Sequence, residues 1–242
     1  MSRPTPRGRP IALDLTAIRS LAQDLTQEIS DYLAIVSEPL GDQDAVVPQT
    51  SFTITDIHGR KRSILVRINA RYSDSPFHVV SAGLGHLRQS QRPIILINLN
   101  GRVPIDHLRY AADRGHLTDA LYSHLAHEFT HAADVHQTGY AARTGVSMGD
   151  LTHTEAHRRD YFNDPGEIRA YLRNIIDEMV ESNLYPKLAR HYAPSMAVQL
   201  AIKGTNTWHE IVPYLTPANR KLILKAGAQQ LLEHPPTGEP NL

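Results

Sequence analysis

LYSHLAHEFTHAADVHQTG, residues 121–139, is the stretch that decides the fold prediction for this 242-residue chain. It contains the pentapeptide HEFTH between His127 and His131, and apolar residues recur around it at helical spacing. Residues three and four apart share one face of a helix, so the two histidine side chains can meet across one turn. The stretch therefore predicts an amphipathic helix that carries a pair of imidazoles.

Two imidazoles on adjacent helical turns can hold one metal ion. The chain contains no cysteine, so a tight zinc site must be built from His, Asp or Glu. Zinc is the expected metal because two imidazoles with a carboxylate and an open water position form a common catalytic zinc set. Glu128 follows the first histidine, where its carboxylate can accept a proton from a metal-activated water that attacks a carbonyl. The pattern thus predicts a zinc-dependent hydrolase with Glu128 as general base.

A third ligand is expected downstream, in YFNDPGEIRAYLRNIIDEM. The metzincin pattern would place a third histidine ten residues after His127, but that position is Gln137. In the downstream stretch Asn163 or Asp164 caps a helix, a proline opens it, and Glu167 falls in its first turn. Glu167 is the predicted third ligand; the alternative is a capping box, in which its carboxylate serves only the helix terminus.

HEFTH together with NDPGEIRAY resembles the zincin superfamily. More narrowly, it is similar to gluzincin-type HExxH metallopeptidases of bacteriophage and bacterial genomes, where a Pro-x-Glu-x-x-Ala-Tyr stretch follows the active-site helix. The resemblance covers about residues 93–177. It implies a single zinc ion held by His127, His131 and Glu167, with Glu128 as the base that helps to hydrolyse a peptide or protein substrate. It also implies that a strand before the helix, such as the one in FHVVSAGLG or the one in RPIILINLN, lines the cleft and pairs with an extended peptide.

Other polar residues near the motif carry weaker predictions. Tyr171 lies one turn after Glu167 and could stabilise the oxyanion of a tetrahedral intermediate, or it could be a core tyrosine. Asp134 could accept the second N–H of a ligand imidazole, or it could lie in solvent. His153 and His157, in HTEAH, could donate to the same oxyanion or bind a second metal. Two more histidines are expected to be ordinary residues of the polar helix face: His124 and His136.

The rest of the chain predicts an α+β, zincin-like fold. Apolar residues at three- and four-residue steps from Leu13 onward predict one long helix that ends before Pro39. The β-rich runs between residues 51 and 100 predict a small sheet of three to four strands, antiparallel or mixed. The active-site helix and a mostly helical C-terminal part should follow, with a long loop at residues 139–163. The predicted helices are 105–113, 118–137, 165–183, 195–203, 208–214 and 217–233.

Length and charge define the expected organisation and partners. We expect one domain over residues 12–234, with a sheet-containing lobe at about 12–137, a helical lobe at about 160–234, and flexible tails at 1–11 and 235–242.

Lys plus Arg and Asp plus Glu number 25 each, so no net charge attracts nucleic acid or an anionic membrane. No apolar signal core or membrane-length apolar run occurs, which favours a cytoplasmic protein, with packaging into a virion as the alternative.

Two other functions fit the same residues. The first is a non-catalytic zincin-like module, within a virion or a larger complex, whose metal only joins two helices. A structural metal site does not require a general base beside an open coordination position, so the presence of Glu128 favours an enzyme. The second is a zinc hydrolase of a non-peptide amide or ester, which would use the same catalytic residues.

Overall fold

A computed structural model describes residues 13–55, 61–73, 79–86, 93–138 and 154–233. The chain divides into two compact units, Met1–Ala142 and Arg143–Leu242. The boundary falls in the segment that was predicted as a long loop, and residues 139–153 of that segment lie outside the described residues. The expectation that both units belong to one domain stays a prediction.

The first unit begins with helix α1 (Leu15–Ile35). The carboxylate of Asp14 accepts a hydrogen bond from the N–H of Ala17 at 3.0 Å and so caps the first turn. The buried apolar side chains of α1 recur at three- and four-residue steps, as the sequence predicts: Ile18, Leu21, Ala22, Leu25, Ile29 and Leu33. The helix ends where Val36 becomes extended, ahead of the proline that would interrupt it.

A four-stranded mixed sheet follows, which confirms the predicted size and type. Its strands are β1 (Thr50–Thr55), β2 (Lys61–Arg71), β3 (Val80–His86) and β4 (Pro93–Asn100), in the order β1-β2-β4-β3. β2 and β4 are parallel, whereas β1 pairs with β2 and β3 pairs with β4 in antiparallel fashion. Among the described strands, β4 therefore lies inside the sheet and β3 lies at its edge.

Two helices, α2 (Ile105–Asp113) and α3 (His116–Thr138), complete the first unit. α3 packs along α1 and also contacts β3. Strands β2 and β4 bury alternate side chains in the core shared with these helices: Ile64, Val66, Ile68, Ala70, Ile95, Ile97 and Leu99. Phe129 of α3 is fully buried, and its ring lies 4.8 Å from that of Phe52 in β1. These apolar contacts fix the rotation of α3 about its axis.

The second unit is helical throughout its described residues. Its helices are α4 (Glu155–Phe162), α5 (Pro165–Glu181), α6 (Leu184–Ala189), α7 (Pro194–Lys203), α8 (Asn206–Ile211) and α9 (Pro217–Glu233). Side chains from α5, α7, α8 and α9 form one core: Ile168, Ile175, Met179, Val198, Ile202, Trp208, Ile211 and Ile223. Within the described parts of both units, no helix has the length and apolar character needed to cross a bilayer.

The predicted loop at 139–163 is wrong over Glu155–Phe162, which forms α4. This segment has no apolar periodicity, because Tyr161 and Phe162 stand together at its end and the preceding residues are mostly polar. An ion pair and two buried aromatic rings stabilise α4 instead. Arg159 pairs with Glu155 at 2.7 Å, and the rings of Tyr161 and Phe162 are buried. Helix α6 was also not predicted. The other helices begin and end within three residues of their predicted bounds.

Candidate metal centre

Helix α3 places three polar side chains in a buried position. Its apolar face is held by Leu121, Leu125 and Phe129, all fully buried. His127, Glu128 and His131 are nevertheless also buried, with 6%, 7% and 3% of their surface exposed. Polar and charged groups leave water at a free-energy cost unless they find partners in the interior. Each of these side chains therefore needs a polar partner in the interior. The other two side chains of the group, or a bound ion, can supply one.

The two imidazoles have the geometry of a metal-binding pair. Their Nε2 atoms lie 2.9 Å apart, and their rings are inclined at 77° with centroids 4.6 Å apart. Two nitrogens bound to one tetrahedral zinc ion at 2.0–2.1 Å would be separated by about 3.3 Å. The observed separation is close to that value. Without a metal, one Nε2–H can donate to the other Nε2, so an ion would take the place of this proton.

Glu128 belongs to the same group. One ligand atom from each of His127, Glu128 and His131 can be chosen so that all three lie within 4.8 Å of one another. The three residues therefore form a buried group that could hold a metal ion. The sequence predicts His127 and His131 as ligands of this ion, but it predicts Glu128 as the general base and not as a ligand. Carboxylate and imidazole ligands suit several divalent metals, so the donor set fits zinc without identifying it.

Glu167 lies in the first turn of α5, in the second unit, and is 8% exposed. Asp164 is the N-cap, and its carboxylate accepts hydrogen bonds from the N–H groups of Gly166 at 2.7 Å and Glu167 at 3.4 Å. In a capping box the glutamate would accept the N–H of the cap residue. The N–H of Asp164 donates to the carbonyl oxygen of Tyr161 at 3.0 Å. The structure thus confirms the predicted start of α5, with Asp164 as its N-cap, and the role of Glu167 as a metal ligand stays a prediction.

Tyr171 follows Glu167 by one turn on α5 and is buried in an aromatic cluster. Its ring centroid lies 5.3 Å from that of Phe162 and 6.4 Å from that of Tyr161. These contacts account for the burial of the ring as part of the core of the second unit. The predicted role of its hydroxyl at an oxyanion stays a prediction.

Of the other polar residues that the sequence suggests for the site, the structure describes the side chain of His124 but not those of the rest. The side chains of Asp134, His136 and His157, and the whole of His153, lie outside the described residues. His124 is half-buried and lies at the wall of a cavity of about 240 Å³. The other lining residues come from α2, α3 and the start of β3: Val79, Val80, Ala111, His116, Leu117 and Ala120. The sequence does not predict this cavity, since its wall combines residues that are distant in sequence.

The strand order distinguishes the two strands that the resemblance suggested for peptide pairing. β4 has hydrogen-bonded neighbours on both sides, β2 and β3, so it offers no edge. β3 lies at the end of the sheet and contacts α3, the helix that carries the histidine pair. Of these two strands, β3 is therefore the one that has a paired strand on only one side among the described residues.

Comparisons with known proteins return no match: no family model, no curated protein and no solved structure is significantly similar to this chain. What the site can do is therefore inferred from its own residues and geometry.

Proposed function

We propose that the chain is a zinc-dependent metallopeptidase with a zincin-like fold, which hydrolyses peptide bonds in a peptide or protein substrate. The observation that carries this proposal is the buried group of His127, Glu128 and His131, with the two Nε2 atoms 2.9 Å apart. Two imidazoles that converge at this distance beside a buried carboxylate match what a catalytic zinc site requires from one helix.

His127 and His131 would hold the ion, with Glu167 as the third ligand predicted from the sequence. When bound, zinc would act as a Lewis acid that polarises the substrate carbonyl and makes water nucleophilic at neutral pH. The carboxylate of Glu128 accepts the proton of the attacking water and then returns it to the leaving amine. Because Glu128 is buried, its interaction with these charges is screened less than it would be in bulk water.

Two features support an enzyme over a structural site. Structural zinc sites in proteins are usually closed by four protein ligands, mostly Cys and His, whereas this chain has no cysteine. A carboxylate next to the histidine pair is what hydrolysis needs. Among the described strands, β3 lies at the edge of the sheet and contacts α3, which supports a peptide substrate, since an extended peptide can pair with an edge strand.

The metal content of the purified chain tests this proposal. Parent protein should contain close to one zinc ion per chain, measured by mass spectrometry of the metal after dialysis. His131→Ala should lose most of it, because one of two adjacent imidazole ligands is removed. His107→Ala is the control, since His107 is an exposed histidine of α2 and should leave the metal content unchanged. Full zinc content in His131→Ala would show that the ion binds elsewhere.

A further inference from the structure

The cavity beside His124 lies within the first unit and is not part of the proposed catalytic group. Its volume is about 240 Å³, and its described wall comes from α2, from α3 and from the start of β3. For comparison, a dry apolar cavity of roughly 150 Å³ holds a benzene molecule. The cavity therefore has room for one large side chain of a ligand.

The wall of this cavity is mostly apolar. His116 is exposed and His124 is half-buried, and an ion pair with an exposed imidazole contributes little to binding. The two alanines end at Cβ and so leave the interior of the cavity open. An apolar wall with a few polar groups is typical of a ligand pocket, and an apolar group fits it better than an acidic one. The five apolar lining residues are Val79, Val80, Ala111, Leu117 and Ala120.

The part of the wall that α3 contributes continues the line of the proposed metal ligands. Leu117, Ala120 and His124 precede His127 at steps of three and four residues, and His131 follows it at the same kind of step. Residues at such steps lie along one face of a helix. The cavity therefore lies along the same face of α3 as the two imidazoles.

The cavity is nevertheless separated from the histidine pair. Ala120, in the middle of the α3 wall, is about 10 Å from His127 along the helix axis, at 1.5 Å per residue. An extended peptide advances about 3.3 Å per residue and covers this distance in about three residues. Val80, the first residue of β3, also lines the cavity. A peptide that pairs with β3 at this end would therefore lie beside the cavity.

We propose that this cavity is a substrate-recognition pocket for a large apolar side chain, of about the size of phenylalanine, that stands about three residues from the cleaved bond. The inference rests on the proposed function, but it uses only residues of the first unit and does not depend on the third metal ligand. Pairing with an edge strand gives affinity for a peptide of almost any sequence, whereas a side-chain pocket gives specificity. The cavity thus determines which peptides are cleaved.

Hydrolysis of peptides that differ at one position tests this pocket. Phe, Leu, Ala or Asp is placed in turn at each position of a peptide that the parent cleaves. At one position about three residues from the cleaved bond, the parent should prefer Phe over Ala roughly 10- to 100-fold in kcat/KM, which is the effect of burying one large apolar side chain. Zinc-loaded Glu128→Gln should show the same preference in Kd, measured by titration calorimetry without cleavage.

Two substitutions fill the cavity from different helices. Ala120→Leu in α3 and Ala111→Leu in α2 each place a larger apolar side chain in the wall. Each should lower the ratio of Phe to Ala about tenfold, in kcat/KM and in Kd, because the space for the ring is taken. Either variant serves if the other fails to fold. Ala34→Leu is the matched control: it makes the same change at an exposed position of α1, outside the cavity wall, and should keep the preference of the parent.

Three outcomes would overturn the pocket and leave the proposed function intact. In the first, the parent cleaves peptides without preferring Phe at any position about three residues from the bond. In the second, it prefers Asp there, which would indicate that the imidazoles select an acidic group. In the third, folded Ala120→Leu or Ala111→Leu keeps the preference for Phe. If the zinc-loaded parent cleaves no peptide, the proposed function is wrong, and the pocket is wrong with it.

Discussion

At the scale of single residues, a close contact between two glycines joins the end of β4 to the segment after α1. The N–H of Gly41 donates to the carbonyl oxygen of Gly101 at 3.1 Å, and Gly41 has a φ of +67°. A Cβ added to Gly101 would lie 1.8 Å from the carbonyl oxygen of Gly41. Backbone atoms cannot yield to such an overlap without displacing the segment.

Gly101→Ala should therefore destabilise the protein. Overpacking of a close contact typically costs about 1–3 kcal/mol, and a backbone clash should reach the upper part of that range. The measurement is the free energy of unfolding from urea titration. Gly83→Ala is the control, because a Cβ on Gly83, in β3, meets no atom within 4 Å. Equal stability of the two variants would show that the contact between Gly41 and Gly101 is looser than described.

The residues of the candidate site differ in how far the sequence could predict them. The meeting of His127 and His131 follows from helical spacing alone, which is a local property. The N-cap at Asp164 is local too, since a short carboxylate before a proline is a strong signal for a helix start. The burial of Glu128 and of Tyr171 depends on residues distant in sequence. The helical spacing of these residues in the sequence cannot predict that their side chains are buried.

At the scale of helices and strands, Arg109 of α2 binds the C-terminus of α1. Its guanidinium donates to the carbonyl oxygen of Leu33 at 2.7 Å and to that of Val36 at 2.9 Å. Leu33 lies in the last turn of α1 and Val36 is its C-cap residue, whose N–H donates to the Leu33 carbonyl at 3.4 Å. Carbonyls at this end of a helix lack the usual helical partner and carry partial negative charge. The contact joins α1 to α2 and so supports the position of α3, which packs on both helices.

Arg109→Met should lower the free energy of unfolding by about 1–3 kcal/mol, because hydrogen bonds from a charged donor are lost while most of the apolar stem remains. Chemical denaturation of both variants measures the difference. The exposed ion pair of Arg109 with Asp106 should contribute much less, so Asp106→Asn should stay within about 0.5 kcal/mol of the parent. A larger loss in Asp106→Asn than in Arg109→Met would contradict this account of the α1 terminus.

Elements with a strong apolar period were predictable, and those without one were not. α1 buries one continuous stripe of side chains, so its periodicity identifies it from sequence alone. The two large apolar residues of α4, Tyr161 and Phe162, are adjacent in sequence, so a search for helical periodicity does not detect this helix. The order of the strands is also not predictable, since β2 pairs directly with β4 although β3 comes between them in the sequence.

At the scale of the whole molecule, the proposed chemistry depends on one helix that the core of the first unit holds in place. The apolar face of α3 is packed against α1 and the sheet, which leaves His127, Glu128 and His131 to form a buried polar group. The fold thus keeps the two proposed ligands and the proposed base on one rigid element. Such rigid support is what positioned acid–base catalysis requires.

The roles within this group can be separated by experiment. His127 and His131 should determine whether the metal binds, whereas Glu128 should act on the substrate and leave the metal in place. Glu128→Gln keeps the shape and volume of the side chain and removes the base. Its zinc content and melting temperature should therefore stay close to those of the parent.

The rate of peptide hydrolysis by Glu128→Gln, on a substrate first identified for the parent in a peptide-library screen, is the most direct test of the central claim. The account predicts a fall of roughly 10²- to 10⁴-fold, the usual contribution of a positioned acid or base, with zinc still bound. A variant that holds zinc and hydrolyses the substrate as fast as the parent would contradict the metallopeptidase mechanism.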